Sequence, residues 1–256
     1  MTKKNNNELG IIYSTWIAFL GVLSVASTCV QTIVQGWLGK INRAWVDLAM
    51  QRWTQRILHL LDITCTVYNP HDTKAQPGQP TIIMCNHSSL FDIPLSFYAF
   101  PTTSIRMLAK KELFSIPLMA QGMKHAEFPG VDRKNRRQGI KDLEKVRALL
   151  ESGIVMWIAP EGTRSADGHV GPFKKGPFIT AIQAKATIIP IGIRGAYDVL
   201  PARTWRLRLG VKTEVHIGQP IDATQFTLEN KDALVQVVRE SIINLTNDTE
   251  IEQTSI

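Results

Sequence analysis

Three short apolar runs do most to limit what this chain can fold into: TIIMCN (81–86), IVMWIAP (154–160) and TIIPIGIRG (187–195). Each is too short for a buried helix and is bounded by Pro, Gly or polar residues, so each reads as a buried strand. Helical spacing fills the intervals. QGIKDLEKVRALLES (138–152) puts Ile140, Leu143, Val146 and Leu150 on one stripe, with Gly153 as its stop. PFITAIQAKA (177–186) is helical, and ENKDALVQVVRESIINLT (229–246) is a closing amphipathic helix. IRMLAKKELF (105–114) opens as a short strand and runs into a helical turn, while KTEVHIGQPI (212–221) alternates like an edge strand. Strands interleaved with helices, without repeats, imply an α/β fold: a layered mixed sheet flanked by helices. The proline inside IIPIGI is unusual for a central strand.

The first part of the chain follows a different rule. From Leu9 to Gly39 no side chain is charged, although Ser, Thr and Gln dilute the run. About 20 mostly apolar residues suffice to cross a bilayer. Trp16 and Trp37 near the ends, with Lys40, Arg43 and Arg52 beyond, have the pattern of interfacial anchors. A signal peptide would be shorter and end in a small-residue cleavage site. A buried helix of a soluble domain is a second alternative. The preferred reading is a membrane-embedded helix, or a hairpin that dips in and turns near Gly21. VDLAMQRWTQRILHLL (46–61) then resumes helical spacing with arginines on one side, as an interfacial helix would. The expected division is an anchoring helical segment over 1–65 and an α/β domain over 66–256, separated by the Pro/Gly-rich stretch 68–80.

Composition sets the remaining bounds. The 256 residues suffice for a sizeable core, and 44 % hydrophobic with 20 % charged excludes a disordered chain. Cys29, Cys65 and Cys85 are odd in number and lack CxxC spacing, which argues against a disulfide framework or a cysteine zinc site. The net charge of +7 is uneven: residues 101–150 hold 11 Lys and Arg against 5 Asp and Glu, whereas residues 221–256 hold 2 against 7. A basic middle suits phosphate groups, on a ligand or a lipid surface, and equally a solvated face. No nucleic-acid motif accompanies it.

Chemistry concentrates where TIIMC ends, at NHSSLFD (86–92). His87 and Asp92 would lie about 140° apart on an ideal helix, so they are not a same-face pair. They can meet if His87 sits in the loop after the strand and Asp92 one turn into the next helix, with Ser88 or Ser89 near its N-cap. A carboxylate would then hold one ring nitrogen and leave the other as a general base. By spacing alone, a histidine capping a helix reads as well. PEGTRS (160–165), after the strand at 154–159, exposes backbone N–H groups and adds Glu161 and Arg164. KKEL (110–113) and GVDR (130–133) contribute further cations. A Cys85/His87 thiol mechanism and a metal-dependent hydrolase are alternatives, the latter without HExxH or a third ligand at recognisable spacing.

Taken in order, NHSSLFD, FPGVDR, APEGTRS and IIPIGI closely resemble the glycerolipid acyltransferase family, in particular its 1-acyl-sn-glycerol-3-phosphate (lysophosphatidic acid) acyltransferases, over about residues 80–220. Ala159 stands where the family's third block has phenylalanine, and Pro129-Gly130-Val131 departs from the second. The resemblance implies transfer of a fatty acyl group from acyl-CoA or acyl carrier protein to the sn-2 hydroxyl of lysophosphatidate, forming phosphatidic acid. It implies His87 and Asp92 as the catalytic pair and Arg133 and Arg164 on the acceptor phosphate. Lys110 or Lys111 would support them, with Gly162 and Thr163 giving backbone and hydroxyl contacts and Glu161 orienting an arginine or the acceptor. No metal or other cofactor is expected beyond the acyl donor as co-substrate. Expected partners are membrane phospholipids, lysophosphatidate and the donor, at the cytoplasmic face of the inner or plasma membrane. Other acceptors (glycerol-3-phosphate, lyso-ornithine lipid, another lysophospholipid) share the motifs, and a non-catalytic anionic-lipid binding protein is the remaining alternative.

Overall fold

A computed structural model describes residues 10–247. In chain order the strands are β1 (Thr64–Tyr68), β2 (Thr81–Cys85), β3 (Ile105–Met107), β4 (Ala109–Lys110), β5 (Gly130–Val131), β6 (Val155–Ile158), β7 (Thr187–Arg194), β8 (Lys212–Ile217) and β9 (Ile221–Asp222). The helices are α1 (Ile11–Trp37), α2 (Arg43–Leu60), α3 (Asp92–Ala99), α4 (Pro117–His125), α5 (Arg136–Glu151), α6 (Gly176–Gln183), α7 (Ala196–Val199) and α8 (Lys231–Thr246). A seven-stranded mixed sheet runs β1-β8-β7-β2-β6-β3, with β9 also on β7; β4 and β5 form a separate parallel pair. Strand β2 is parallel to β6 and β7, whereas β7 is antiparallel to β8 and β9.

The central strands are apolar throughout because both faces of the sheet are covered. Successive side chains alternate between two cores. Ile83 and Cys85 on β2 join Ile17 of α1, Val46, Ile57 and Leu58 of α2, and Leu95 of α3. Ile82 and Met84 join Val146 and Leu150 of α5, Phe178 of α6, and Leu234, Val238 and Ile242 of α8. Ile82, Ile83 and Met84 have no exposed surface, and each contributes roughly 1.5–3 kcal/mol by leaving water.

Two strand expectations need correction. The 212–217 run is not an edge strand: β8 lies between β1 and β7. Its alternation arises because Val215 and Ile217 enter a core while Glu214 and His216 remain half-exposed. Pro190 does sit in a central strand, opposite Met84 of β2. It is tolerated because its carbonyl points the other way, accepting Gly218 N–H at 2.9 Å. There the neighbour changes from β8 to β9, so no ladder bond is lost for want of an N–H.

Helix α1 is continuous for 27 residues, without the turn near Gly21. It is long and apolar enough to cross a membrane, and its inner face mixes Ile17 and Ile33 with small polar residues while large apolar side chains face out. Ser14, Thr28 and Thr32 are buried against the protein, whereas Ile12, Trp16, Val22 and Trp37 face out. The hairpin is made instead with α2, where Arg56 Nη2 donates to Thr28 Oγ1 at 2.8 Å. At Gly122 helix α4 comes so close to α1 that an added Cβ would meet that of Cys29 at 2.9 Å. Two cations of the sequence reading are occupied internally. Arg43 pairs with Glu127 at 2.8 Å and donates to Ser152 O, so it is not a free headgroup ligand. Arg106, from the basic middle, is fully buried and joins β3 to α2 through Asp47 at 2.7 Å.

Candidate active site

Because β2, β6 and β7 are parallel, the segments that follow them emerge at one edge of the sheet, where α/β folds place ligands. Asn86, just past β2, ties that edge together: its Nδ2 donates to Ile193 O at 2.9 Å and its Oδ1 accepts Ile193 N–H at 2.8 Å. This mimics one more rung of the ladder and fixes where His87 leaves the sheet.

His87 Nδ1 lies 2.8 Å from Asp92 Oδ2. The same oxygen accepts Ser88 N–H at 2.8 Å and Ser89 N–H at 2.9 Å. Asp92 is thus the first residue of α3 rather than one turn into it, and its carboxylate, not a serine hydroxyl, closes the turn. A carboxylate can only accept, so the imidazole proton belongs on Nδ1 and the lone pair on Nε2. Nε2 has no protein partner among the described residues. The His87 side chain is 15 % exposed and that of Asp92 0 %, so the base reaches solvent while its orienting group does not. Behind them, Trp157 Nε1 donates to Ser96 Oγ at 2.8 Å and Ser96 Oγ to Asp92 O at 2.7 Å. The Trp157 ring meets the His87 ring edge-on at 5.9 Å.

The PEGTRS segment grips the same turn through the main chain. Glu161 Oε1 accepts His87 N–H at 2.7 Å, and Ser165 N–H donates to His87 O at 2.7 Å. Glu161 Oε2 accepts Gly171 N–H at 3.1 Å. Glu161 is therefore turned inward, and among the described residues it touches no arginine. Burial pushes its carboxyl up to about 7, against the opposing pull of the N–H groups of His87 and Gly171. Gly162 follows at φ +76°, a conformation other residues adopt only with strain. Its carbonyl accepts from Arg133 Nη1.

Thr163 is exposed and Arg164 half-buried, with no side-chain partner for Arg164 among the described residues. Lys111 pairs with Asp132 at 3.1 Å, and Lys110 is exposed on β4, opposite Val131. The structure thus brings Arg133 and the 161–165 segment together beside His87 and sets Lys110 at the end of β4, with Lys111 opening the helical turn that follows it. Sequence reasoning missed Lys174. Its N–H donates to Pro160 O at 2.8 Å, and its Cγ lies 3.4 Å from where a Cβ on Gly162 would be. Nothing local marks it, since it lies ten residues past Arg164. Cys85 is unsuited to thiol chemistry: burial, then Asp92 and Glu161, push its thiol well above the usual range. Among the described residues no three His, Cys, Asp or Glu side chains converge as a metal site.

Comparison with known proteins matches this frame. The family model described as Acyltransferase matches residues 65–194. The chain is 27 % identical over 237 residues to the mouse 1-acyl-sn-glycerol-3-phosphate acyltransferase alpha, covering 91 % of this chain and 78 % of that protein. It is 35 % identical over 158 residues to a coconut (Cocos nucifera) 1-acyl-sn-glycerol-3-phosphate acyltransferase, covering 61 % and 51 %. The crystal structure of the 1-acyl-sn-glycerophosphate acyltransferase PlsC from Thermotoga maritima superposes with a TM-score of 0.76 at 23 % identity, over 95 % of this chain and 97 % of that one.

Proposed function

The chain belongs to the acyltransferase family, and from that premise we propose that it acylates the sn-2 hydroxyl of 1-acyl-sn-glycerol-3-phosphate to give phosphatidic acid. The observation that carries the reading is the His87–Asp92 pair, with Nδ1 held at 2.8 Å and Nε2 unpartnered at the sheet edge. The acceptor hydroxyl gives its proton to Nε2 as its oxygen attacks the thioester carbonyl of acyl-CoA or acyl-acyl carrier protein. The tetrahedral adduct collapses, the C–S bond breaks, and the imidazolium returns the proton to the departing thiolate. Asp92 keeps the tautomer and stabilises the imidazolium. No covalent enzyme intermediate and no cofactor beyond the donor are required. The Ser88 and Ser89 N–H groups are taken by Asp92, so they do not serve the oxyanion.

Arg133, Arg164 and Lys174 form the cationic rim for the acceptor phosphate, with Thr163 and the Gly162 backbone beside them and Lys110 and Lys111 as outer support. Glu161 positions the loop rather than touching the acceptor. Residues 1–65 act as the anchor and 66–256 as the catalytic unit. Catalysis faces the cytoplasm, where soluble donors are made. One assay tests the reading: labelled acyl transfer from acyl-CoA and from acyl carrier protein to lysophosphatidate, glycerol-3-phosphate and other lysophospholipids. Lysophosphatidate should be preferred at least tenfold, because glycerol-3-phosphate has no acyl chain to bury and other lysophospholipids offer a phosphodiester with less charge for the cations. Efficient acylation of glycerol-3-phosphate alone would sink the acceptor assignment.

A further inference from the structure

The edge that carries His87 has a second feature that acyl transfer does not use. Between α7 and β8 the chain crosses it as PARTWRLRLGV (201–211). This segment is fastened at both ends. Ser89 Oγ, two residues from His87, donates to Leu200 O at 2.9 Å. Gly210 N–H donates to Leu61 O, at the end of α2, at 3.0 Å. Between these points Arg208 N–H donates to Val199 O at 3.0 Å, and Leu207 enters the core shared with Phe91 and with Ile17 of α1. What the braced loop holds outward is Trp205, 83 % exposed. Arg203 and Arg206 flank it, both exposed, with no guanidinium partner among the described residues. Leu90, in the turn that holds His87, is also exposed.

An indole with cations on either side is the chemistry of a bilayer interface: the ring settles at headgroup level and the arginines meet anionic lipid phosphates. The position of α1 points the same way. Residues 38–42 link α1 to α2 closely enough that the two run antiparallel, and Thr28 meets Arg56 near the end of α2. More than three turns of α1, roughly 15–20 Å, therefore continue past the end of α2, where the loop is tied. Those turns expose Ile11, Ile12, Tyr13, Trp16 and Phe19. Loop tip and helix overhang thus rise from one edge.

We propose that loop 201–209 is a second membrane contact, with Trp205 at the headgroup level of an anionic bilayer and Arg203 and Arg206 on lipid phosphates, seating the His87 edge against the surface beside α1. The test uses the full chain in vesicles of phosphatidylcholine with phosphatidylglycerol, some lipids brominated near the headgroup end of the acyl chain. The fluorescence lost in Trp205→Phe isolates the signal of this indole. That signal should be quenched about twofold or more, as for an interfacial ring; a signal indifferent to brominated lipid overturns the proposal. In parallel, Arg203→Ser/Arg206→Ser should lower activity on anionic vesicles about fivefold. Activity on detergent-dispersed acceptor and the donor KM should stay unchanged. A raised donor KM without quenching would assign the loop to the soluble donor and overturn the membrane contact. The quenching arm needs no turnover, so it fails independently of the acceptor assignment.

Discussion

Two histidine–carboxylate pairs among the described residues are of nearly equal length and differ in everything around them. His87 Nδ1 is 2.8 Å from Asp92, and His216 Nε2 is 2.7 Å from Glu214. The histidines are similarly exposed, at 15 % and 18 %, but the carboxylates are not, at 0 % for Asp92 and 38 % for Glu214. Asp92 is pinned by the Ser88 and Ser89 amides. Glu214 instead shares its Oε2 with Arg194 at 3.5 Å, on a strand whose His216 ring stacks on Tyr68 at 4.6 Å. The first pair leaves Nε2 without a partner among the described residues, whereas the second spends Nε2 on its carboxylate. Proximity of the two groups is therefore not what separates the pairs; a fixed carboxylate and a vacant opposite nitrogen are.

Substitution can break this contrast directly. His87→Ala should lower kcat for acyl transfer by roughly 10²–10⁴, while His216→Ala stays within about twofold, in a protein whose melting is otherwise intact. Equal losses in both variants would mean that the pairs are not functionally distinct. Asp92→Asn should follow at about 10² or more, because an amide permits the wrong tautomer, and Glu214→Gln should be nearly silent. Smaller effects sharpen the contrast between the surroundings. Arg133→Ala or Arg164→Ala should raise the acceptor KM about tenfold with kcat little changed, whereas Arg194→Ala leaves it alone; a change confined to the donor KM would contradict the phosphate assignment.

The smallest effect is on stability. With its folded pKa up at about 7, Glu161 binds its proton more tightly in the folded state than in the unfolded one. Its contribution is fully present below the ordinary carboxylate range and is lost as pH rises through 7. The melting temperature should therefore decline by a few degrees from this source between about pH 5 and 8. Glu161→Gln should flatten that slope, whatever it does to the absolute value. An unchanged slope would show that Glu161 does not titrate there.

Much of this was legible in the sequence because the signals are local. The β2, β6 and β7 runs, the α5 stripe and the NHSSLFD turn are each decided within a dozen residues. What escaped depends on distant partners. Glu161 reads as a ligand until the amides of His87 and Gly171 claim it. Arg106 reads as part of a basic surface until Asp47 and Ala126 enclose it. Lys174 carries no pattern at all. The alternation of β8 points equally to an edge and to an interior strand with one half-covered face, because both leave the same trace in a sequence. For α1 the sequence allows an unbroken helix or a hairpin turning at Gly21, and the surrounding helix formers carry the chain through without the turn.

The register of β1 has a kinetic consequence. Thr64 lies opposite Lys212, so β1 waits for a partner from about 150 residues downstream. At ribosomal rates that is on the order of ten seconds or more. During that interval α1 has already emerged, with an outward surface that water does not suit, and β7 has an unpaired flank once it is made. The nascent chain is thus a half-built sheet with two adhesive surfaces. Early capture of α1 by a bilayer would shield one of them and keep neighbouring chains apart until β8 closes the gap. In this protein the membrane can act on folding before any substrate arrives.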